Sequence, residues 1–247
     1  MSALALIPAR YDSVRFPGKP LALILGRPMI EHVWRRAKNI PGVNDVIVAT
    51  DSPLISQAVE SFGGKFVMTG GHHKSGSDRL AEAADILRLP DDALILNVQG
   101  DQPALDERAA GLLVAEMANN PGIEMGTVAA PILNPAEIGD PNHVKVVLSE
   151  DGFALYFSRS PIPFSRSGEE IPVLKHLGLY AYRAGFLRDF VKWPQSDLER
   201  VESLEQLRAL AKGRRIKVLV TKGDYPEVDV PGDLLKAEAA LRQRGSQ

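Results

Sequence analysis

The chain has 247 residues, 29 Lys and Arg against 31 Asp and Glu, a net charge of −2, 45% hydrophobic residues and no cysteine. A chain of this length buries roughly three quarters of its unfolded surface and needs no covalent staples, and without cysteine it has neither disulfides nor a thiolate metal site, which suits the cytoplasm. The near-neutral charge excludes bulk nucleic-acid binding, no apolar run reaches the ~18 residues of a membrane span, and MSALALIPAR lacks the basic region of a signal peptide.

Short apolar runs alternate with helical patterns through the first half. ALALI reads as a buried strand, and RPMIEHVWRRAKNI sets Met29, Ile30, Val33, Trp34 and Ala37 on one helical face, with Pro28 near the first turn. DVIVAT is a β-branched strand, SPLISQAVESF a helix, KFVMT a strand, SDRLAEAADILRL a helix and ALILNV a strand. Such alternation predicts an α/β fold: a mostly parallel central sheet with helices on both faces, its strands apolar on both sides.

The second half is less regular. EMGTVAAPI, HVKVVLS and FALYFSR read as strands without helices between them, followed by the strand LKHLGLYAYR and the short helix GFLRDFVKW. This β-rich middle, about Glu124 to Tyr182, is expected to project from the sheet. SDLERVESLEQLRALAKG reads as one long helix, with Ser196 and Glu199 as its capping box, an apolar face of Leu198, Val201, Leu204 and Leu207, and Gly213 at its end. IKVLVT is a strand and PGDLLKAEAALRQR a last helix. With no linker, repeat or low-complexity segment, residues 1–247 are expected to form one domain.

The loop after the first strand, within IPARYDSVRFPGKP, carries Arg10, Arg15 and Lys19. It is neither a Walker A loop nor a dinucleotide fingerprint. In open α/β sheets ligands bind beyond the carboxyl ends of the strands, so three cations there suit a polyphosphate, Arg as a planar fork and Lys as a point charge. On spacing alone, a solvated loop paired to surface acids fits equally.

The same stretch, with its P-G-K-P ending, resembles the first loop of the sugar nucleotidyltransferases. Further strings follow in order over nearly the whole chain: VATD, SGSDRL, NVQGDQP, ALYFSRSPIPF, KHLGLYAYR, LEQLR and EVDVPGDL. Together they resemble the 3-deoxy-manno-octulosonate (Kdo) cytidylyltransferase family of lipopolysaccharide assembly. The resemblance implies that CTP and an eight-carbon acidic sugar give a CMP-sugar and pyrophosphate with Mg²⁺, in a homodimer with a twofold interface. It implies that Arg10, Arg15 and Lys19 hold the triphosphate, that Ala9, Ser75, Gly76, Arg79 and Gln99 contact the nucleotide, and that Asp101 and Asp229 are the metal carboxylates. For the sugar it implies Gln99, Arg159, His176, Tyr180, Glu205 and Gln206.

Each of these residues also has a plainer role. Asp101 could bond its own G-D turn, and Asp229 could be a turn residue before a helix. His176 and Tyr180, four apart on a strand, face one side and could be buried with hydrogen-bonded tips. Glu199, Glu202 and Glu205 recur every three residues, a pattern that usually marks a solvated face. The adjacent His72 and His73 fit a surface turn better than a metal site. Three positions depart from the family: Val230 stands at the last helix's N-cap, where Thr is usual and caps better, Gly232 replaces the usual Glu, and Gln102 replaces the usual Glu of G-D-E-P, as in a subset acting on the 8-amino analogue of Kdo. A non-catalytic nucleotide-binding subunit and an acylneuraminate cytidylyltransferase are the alternatives. The first has no need of both Asp101 and Asp229, and SGSDR and LEQLR fit the second less well.

Overall fold

The computed structural model describes residues 2–12, 15–169, 171–223 and 225–244. From the N-terminus run β1 (Ala3–Ala9), a small hairpin of β2 (Leu23–Ile24) and β3 (Arg27–Pro28), α1 (Met29–Lys38), β4 (Val43–Thr50), α2 (Pro53–Ser61), β5 (Lys65–Met68), α3 (Gly76–Ile86), β6 (Leu94–Asn97) and α4 (Glu107–Asn119). Then come β7 (Met125–Pro131), β8 (Lys145–Leu148), β9 (Ala154–Ser158), β10 (Leu174–Arg183), α5 (Ala184–Lys192), α6 (Asp197–Glu202), α7 (Leu207–Ala211), β11 (Ile216–Val220) and α8 (Leu234–Arg244).

The strands form one sheet in the order β11-β7-β10-β6-β1-β4-β5. All neighbours along it are parallel except β10, which runs antiparallel to both β6 and β7. Two apolar layers sandwich the sheet. Ile7 and Val48 pack with Val33, Val59 and Leu113 on one side, and Leu6 and Ile95 with Leu80, Leu187 and Phe190 on the other. Burial on both faces explains why β1 and β6 are apolar without alternation. The expected α/β architecture is therefore observed.

The details differ from the sequence expectation in four places. The first is α4, which has no counterpart among the predicted elements: Asp106 caps it by accepting from the backbone N–H of Arg108 and Ala109, and Ala109, Ala110, Leu113, Val114 and Met117 form its buried side. The second is the β-rich middle, which does not project as a whole. β7 and β10 lie within the main sheet, and only β8 and β9 branch from it.

Third, residues 196–213 are two helices. Ser196 and Glu199 do form the capping box, but Ser203 takes the left-handed conformation at φ 53° and ψ 49° and ends α6. Leu204 and Leu207 are buried as expected, whereas Leu198 and Val201 are exposed. The break sends the three glutamates to separate partners. Glu199 accepts two bonds from Arg208, Glu202 accepts from Ser158 Oγ and the Arg159 backbone, and Glu205 accepts from Ser75 and Ser77. They do not make a solvated face.

Fourth, Val230 gives no side-chain cap, and only the reciprocal contact from Asp233 back to the preceding backbone is made. Its carboxylate accepts from the backbone N–H of both Asp229 and Val230 at 3.1 Å. Burial alone would raise the Asp233 pKa, but these two bonds outweigh it and hold the group below its usual range.

Candidate functional site

The loops leaving the carboxyl ends of β1, β5, β6 and β11 and the N-terminus of α3 enclose a cleft of about 310 Å³. Ala9, Arg10, Arg15, Lys19, Ser75, Gly76, Arg79, Gln99, Asp101 and Asp229 all line it. Every residue assigned to nucleotide, catalysis or metal thus reaches one place from five separate stretches of sequence.

Close backbone approach brings the stretches together. A Cβ at Gly100 would stand 2.9 Å from the Pro8 carbonyl oxygen, so only glycine lets the end of β6 lie against the end of β1. Gly18 adopts φ 70° and opens the tight turn Lys19–Leu21. That turn aims Lys19 inward, with Nζ 2.8 Å from Asp101 Oδ2, 2.8 Å from the Val228 carbonyl and 3.7 Å from Asp229 Oδ1. Arg15 Nη2 lies 3.0 Å from Asp229 Oδ1. Arg10 is exposed at the cleft wall.

On the opposite wall Ser75 caps α3, accepting from the Asp78 N–H while Asp78 accepts from the Ser75 N–H. Ser75 and Gly76 of this first turn line the cleft, where a helix N-terminus favours an anion or a nucleotide acceptor. Arg79 lines the cleft but is committed: it is 4% exposed and binds Asp51 Oδ2 at 3.0 Å and Thr69 Oγ1 at 2.5 Å. Its evident task is to fasten the loop before α3 to the end of β4.

Beyond Asp101 the cleft borders β10. Gln99 Nε2 lies 3.3 Å from Asn97 Oδ1 and 3.5 Å from the Gly178 carbonyl. His176 pairs with Ala129 and Tyr180 with Thr127, so β10 spends four residues where β7 spends two, with Gly178 at φ 67° in the bulge. The even spacing survives the bulge, and the two rings stand 5.2 Å apart on one side. The Thr127 hydroxyl donates to the Leu179 carbonyl at 2.6 Å, so it must accept from His176 Nε2 at 2.9 Å. That leaves Nδ1 as the acceptor of a neutral imidazole. Burial lowers the His176 pKa to about 3 and raises that of Tyr180 well above its usual value.

Glu205 joins this region to the nucleotide wall through Ser75 Oγ and Ser77 Oγ, both at 3.0 Å. Burial raises its pKa, and the two serine bonds oppose the shift. Gln206 is buried, and its Nε2 has no hydrogen-bond partner among the described residues. Arg159 is not with these residues. Its Nε, Nη1 and Nη2 donate to the carbonyls of Glu202, Pro141 and Ser203, so in this chain it clamps the end of α6 instead of facing the cleft.

The sequence reading missed Glu227. Gln102, fully buried, donates from Nε2 to the Leu177 carbonyl at 3.0 Å and to Glu227 Oε1 at 2.8 Å. Burial among protein groups, followed by the charge of Asp101, raises the Glu227 pKa to about 7, although the residue keeps an exposed surface. The only sequence signal is the E-V-D alternation, which puts Glu227 and Asp229 on one side of an extended segment.

Among the described residues no group of three or more His, Cys, Asp or Glu could hold a metal ion. Asp101 and Asp229 nevertheless converge on a single cation, the Lys19 ammonium. Two carboxylates opening on a solvated cleft match a hard divalent ion that keeps waters and takes further oxygens from phosphate. The donor set fits Mg²⁺.

Comparison with known proteins agrees with this geometry. The cytidylyltransferase family model matches residues 4–216. The 8-amino-3,8-dideoxy-manno-octulosonate cytidylyltransferase of Shewanella pealeana is 51% identical, covering 98% of this chain and 99% of its own, and that of Shewanella frigidimarina is 50% identical with the same coverage. A CMP:2-keto-3-deoxy-manno-octonic acid synthetase complexed with CTP superimposes with a TM-score of 0.93 at 43% identity, covering 99% of this chain and 100% of that one. A 4-diphosphocytidyl-2C-methyl-D-erythritol synthase shares the fold at a TM-score of 0.65 and 17% identity. Loops that gather three cations and two carboxylates beyond the strand ends, on a sheet and a sequence shared with these enzymes almost end to end, make the chain a member of the cytidylyltransferase family.

Proposed function

We propose that the protein transfers the cytidylyl group of CTP to the anomeric hydroxyl of an eight-carbon 3-deoxy-ulosonic acid of the Kdo type, for lipopolysaccharide assembly. The observation that carries this reading is the convergence of Arg10, Arg15, Lys19, Asp101 and Asp229 on one cleft beside the α3 N-terminus. The sugar oxygen attacks the α-phosphorus, the bond from that phosphorus to the bridging oxygen breaks, and pyrophosphate leaves with its electrons. The hydroxyl proton passes to solvent.

Arg10, Arg15 and Lys19 hold the triphosphate and neutralise the leaving pyrophosphate, while Ala9, Ser75 and Gly76 seat the nucleoside, Arg79 fastens that wall and Gln99 spans nucleotide and sugar. His176, Tyr180, Glu205 and Gln206 line the acceptor side. Arg159 reaches a sugar carboxylate only by leaving its three carbonyl partners. Asp101 and Asp229 would hold Mg²⁺, which when bound supplies charge neutralisation at the α-phosphate and polarises the reacting oxygens.

The protein works in the cytoplasm as a homodimer in this reading. Leu133, Leu155, Phe164 and Ile171, all exposed between β7 and β10, supply an apolar surface for a second copy. Among the described residues no helix is long and apolar enough to cross a membrane.

The deciding experiment measures pyrophosphate release from CTP with and without Kdo or its 8-amino analogue, with Mg²⁺ or EDTA. Release requiring both sugar and Mg²⁺ is expected, and release with neither sugar would overturn the reading. Light scattering at micromolar protein checks the dimer: a purely monomeric mass would remove it.

A further inference from the structure

The cleft has two halves. The nucleotide half is built by the ends of β1 and β6, the loop after β5 and α3, and Gln99 links it to β10, where the acceptor half is placed. Glu227 lies beside β10, two residues before the cleft residue Asp229. Its Oε1 would stand 3.4 Å from a Cβ at Gly178, the residue whose carbonyl meets Gln99. Its charge is felt at Tyr180, on β10. Asp101, Asp229 and Lys175 act on Glu227, but Asp101 and Asp229 are themselves paired with Lys19 and Arg15, whereas the Glu227 carboxylate meets a neutral amide.

Resting on the proposed transfer to a Kdo-type acid, we infer that Glu227, held by Gln102, reads the substituent at the tail of the acceptor sugar and selects an ammonium over a hydroxyl. The relatives named for the 8-amino sugar act on a molecule that carries an amine at C8. An alkyl amine is protonated at neutral pH. A carboxylate gives it a charge-assisted hydrogen bond, roughly twice as strong as a neutral one.

Gln102 explains how the carboxylate is kept in place. Both hydrogens of its amide are used, one on the Leu177 carbonyl and one on Glu227. A carboxylate at position 102 has no hydrogen to donate and would set two acceptor oxygens against each other across 2.8 Å, so the bond that holds Glu227 would be lost. An amide there orients Glu227 without competing for its charge. Gln102 is fully buried, so it acts through Glu227 and is a positioning residue.

The test is kcat/KM for Kdo and for its 8-amino analogue, measured side by side with CTP and Mg²⁺ at neutral pH, for the wild type, Glu227→Gln and Gln102→Glu. The wild type is expected to prefer the amino sugar. Glu227→Gln should lower the amino-to-hydroxyl ratio about tenfold or more, the value of one hydrogen bond to a charged group. Gln102→Glu should lower the ratio in the same direction with the KM for CTP little changed. A wild-type preference for Kdo overturns the inference, as does an equal loss for both sugars in Glu227→Gln, which would mean that Glu227 only supports the Asp229 segment. Failure of the wild type to use either sugar is a different result, because it removes the proposed reaction itself.

Discussion

The ammonium of Lys19 lies 2.8 Å from Oδ2 of Asp101, so the free protein keeps a cation where its two site carboxylates converge. Two bare carboxylates would repel, and removing one would cost the metal-free protein nothing. The Lys19 contact reverses that expectation. Asp101→Asn should lower the metal-free melting temperature by a few degrees, matching the ~1 kcal/mol upper end for a partly exposed pair. A melting curve in EDTA that equals the wild type's would show that the pair contributes nothing.

Lys19 also carries the triphosphate in the proposed reaction. Lys19→Met should reduce turnover by orders of magnitude while circular dichroism stays native, because the side chain leaves a cleft and not a core. Near-normal turnover in that variant would refute the assignment.

Asp101 and Asp229 reach one centre from β6 and from the segment after β11. Residues acting as a unit lose activity non-additively. Asp101→Asn and Asp229→Asn should each remove most of kcat at saturating CTP and Mg²⁺, and the double variant should be barely worse. Losses that multiply would show two independent roles.

His176 gives the fold an acid sensitivity. Its imidazole titrates near 6.5 when unfolded and near 3 when folded, because burial disfavours the cation. Between those values the unfolded state binds more protons, so this contribution to stability is complete above pH 6.5 and is lost as pH falls toward 3. The slope is at most about 1.4 kcal/mol per pH unit. His176→Gln should lose less stability than the wild type on going from about pH 7 to about pH 5. Chemical denaturation at both pH values measures the difference, and parallel losses would exclude this residue as the source.

Glu199 and Arg208 form a bidentate pair at 2.6 and 2.8 Å, 4% and 7% exposed, with the guanidinium 4.8 Å from the Phe190 ring centroid. Removing one partner from a buried pair leaves an uncompensated charge and costs about 3–5 kcal/mol. Arg208→Leu should therefore be strongly destabilised, and the double replacement Glu199→Leu with Arg208→Leu should recover part of the loss. Urea denaturation of the three proteins reads this directly; a double variant as weak as the single would place the cost in packing instead.

The sequence reveals the layered sheet because β1, β6 and the stretch Val46–Ala49 of β4 are continuous apolar runs, and strands buried on both faces leave that mark. It reveals three cations beyond β1 for the same reason. Their roles, and those of Ser75 or Tyr180, come through resemblance, since no local rule tells a ligand from a cap. The break at Ser203 is hidden because residues 196–213 satisfy the local rules of one helix. What ends α6 is tertiary: Arg159 takes the carbonyls of Glu202 and Ser203, and Arg208 takes Glu199. Helix α4 is absent from the sequence expectation although Ala109, Leu113 and Met117, spaced by four, mark its buried side. Glu227 was not legible, because an acid in a turn looks the same whether it faces solvent or a ligand.

The single reversed strand has a consequence for synthesis. The segment β6-β1-β4-β5 can assemble once Asn97 has left the ribosome, but β7 pairs only with β10 and β11. A nascent chain must therefore carry β7 unpaired until Arg183 emerges, while the edge of β6 stays open beside it. An open edge and an unpartnered apolar strand are the features that recruit other chains. Between these two points of translation the chain exposes an open sheet edge and an unpaired strand at the same time, which makes it the stage most open to aggregation.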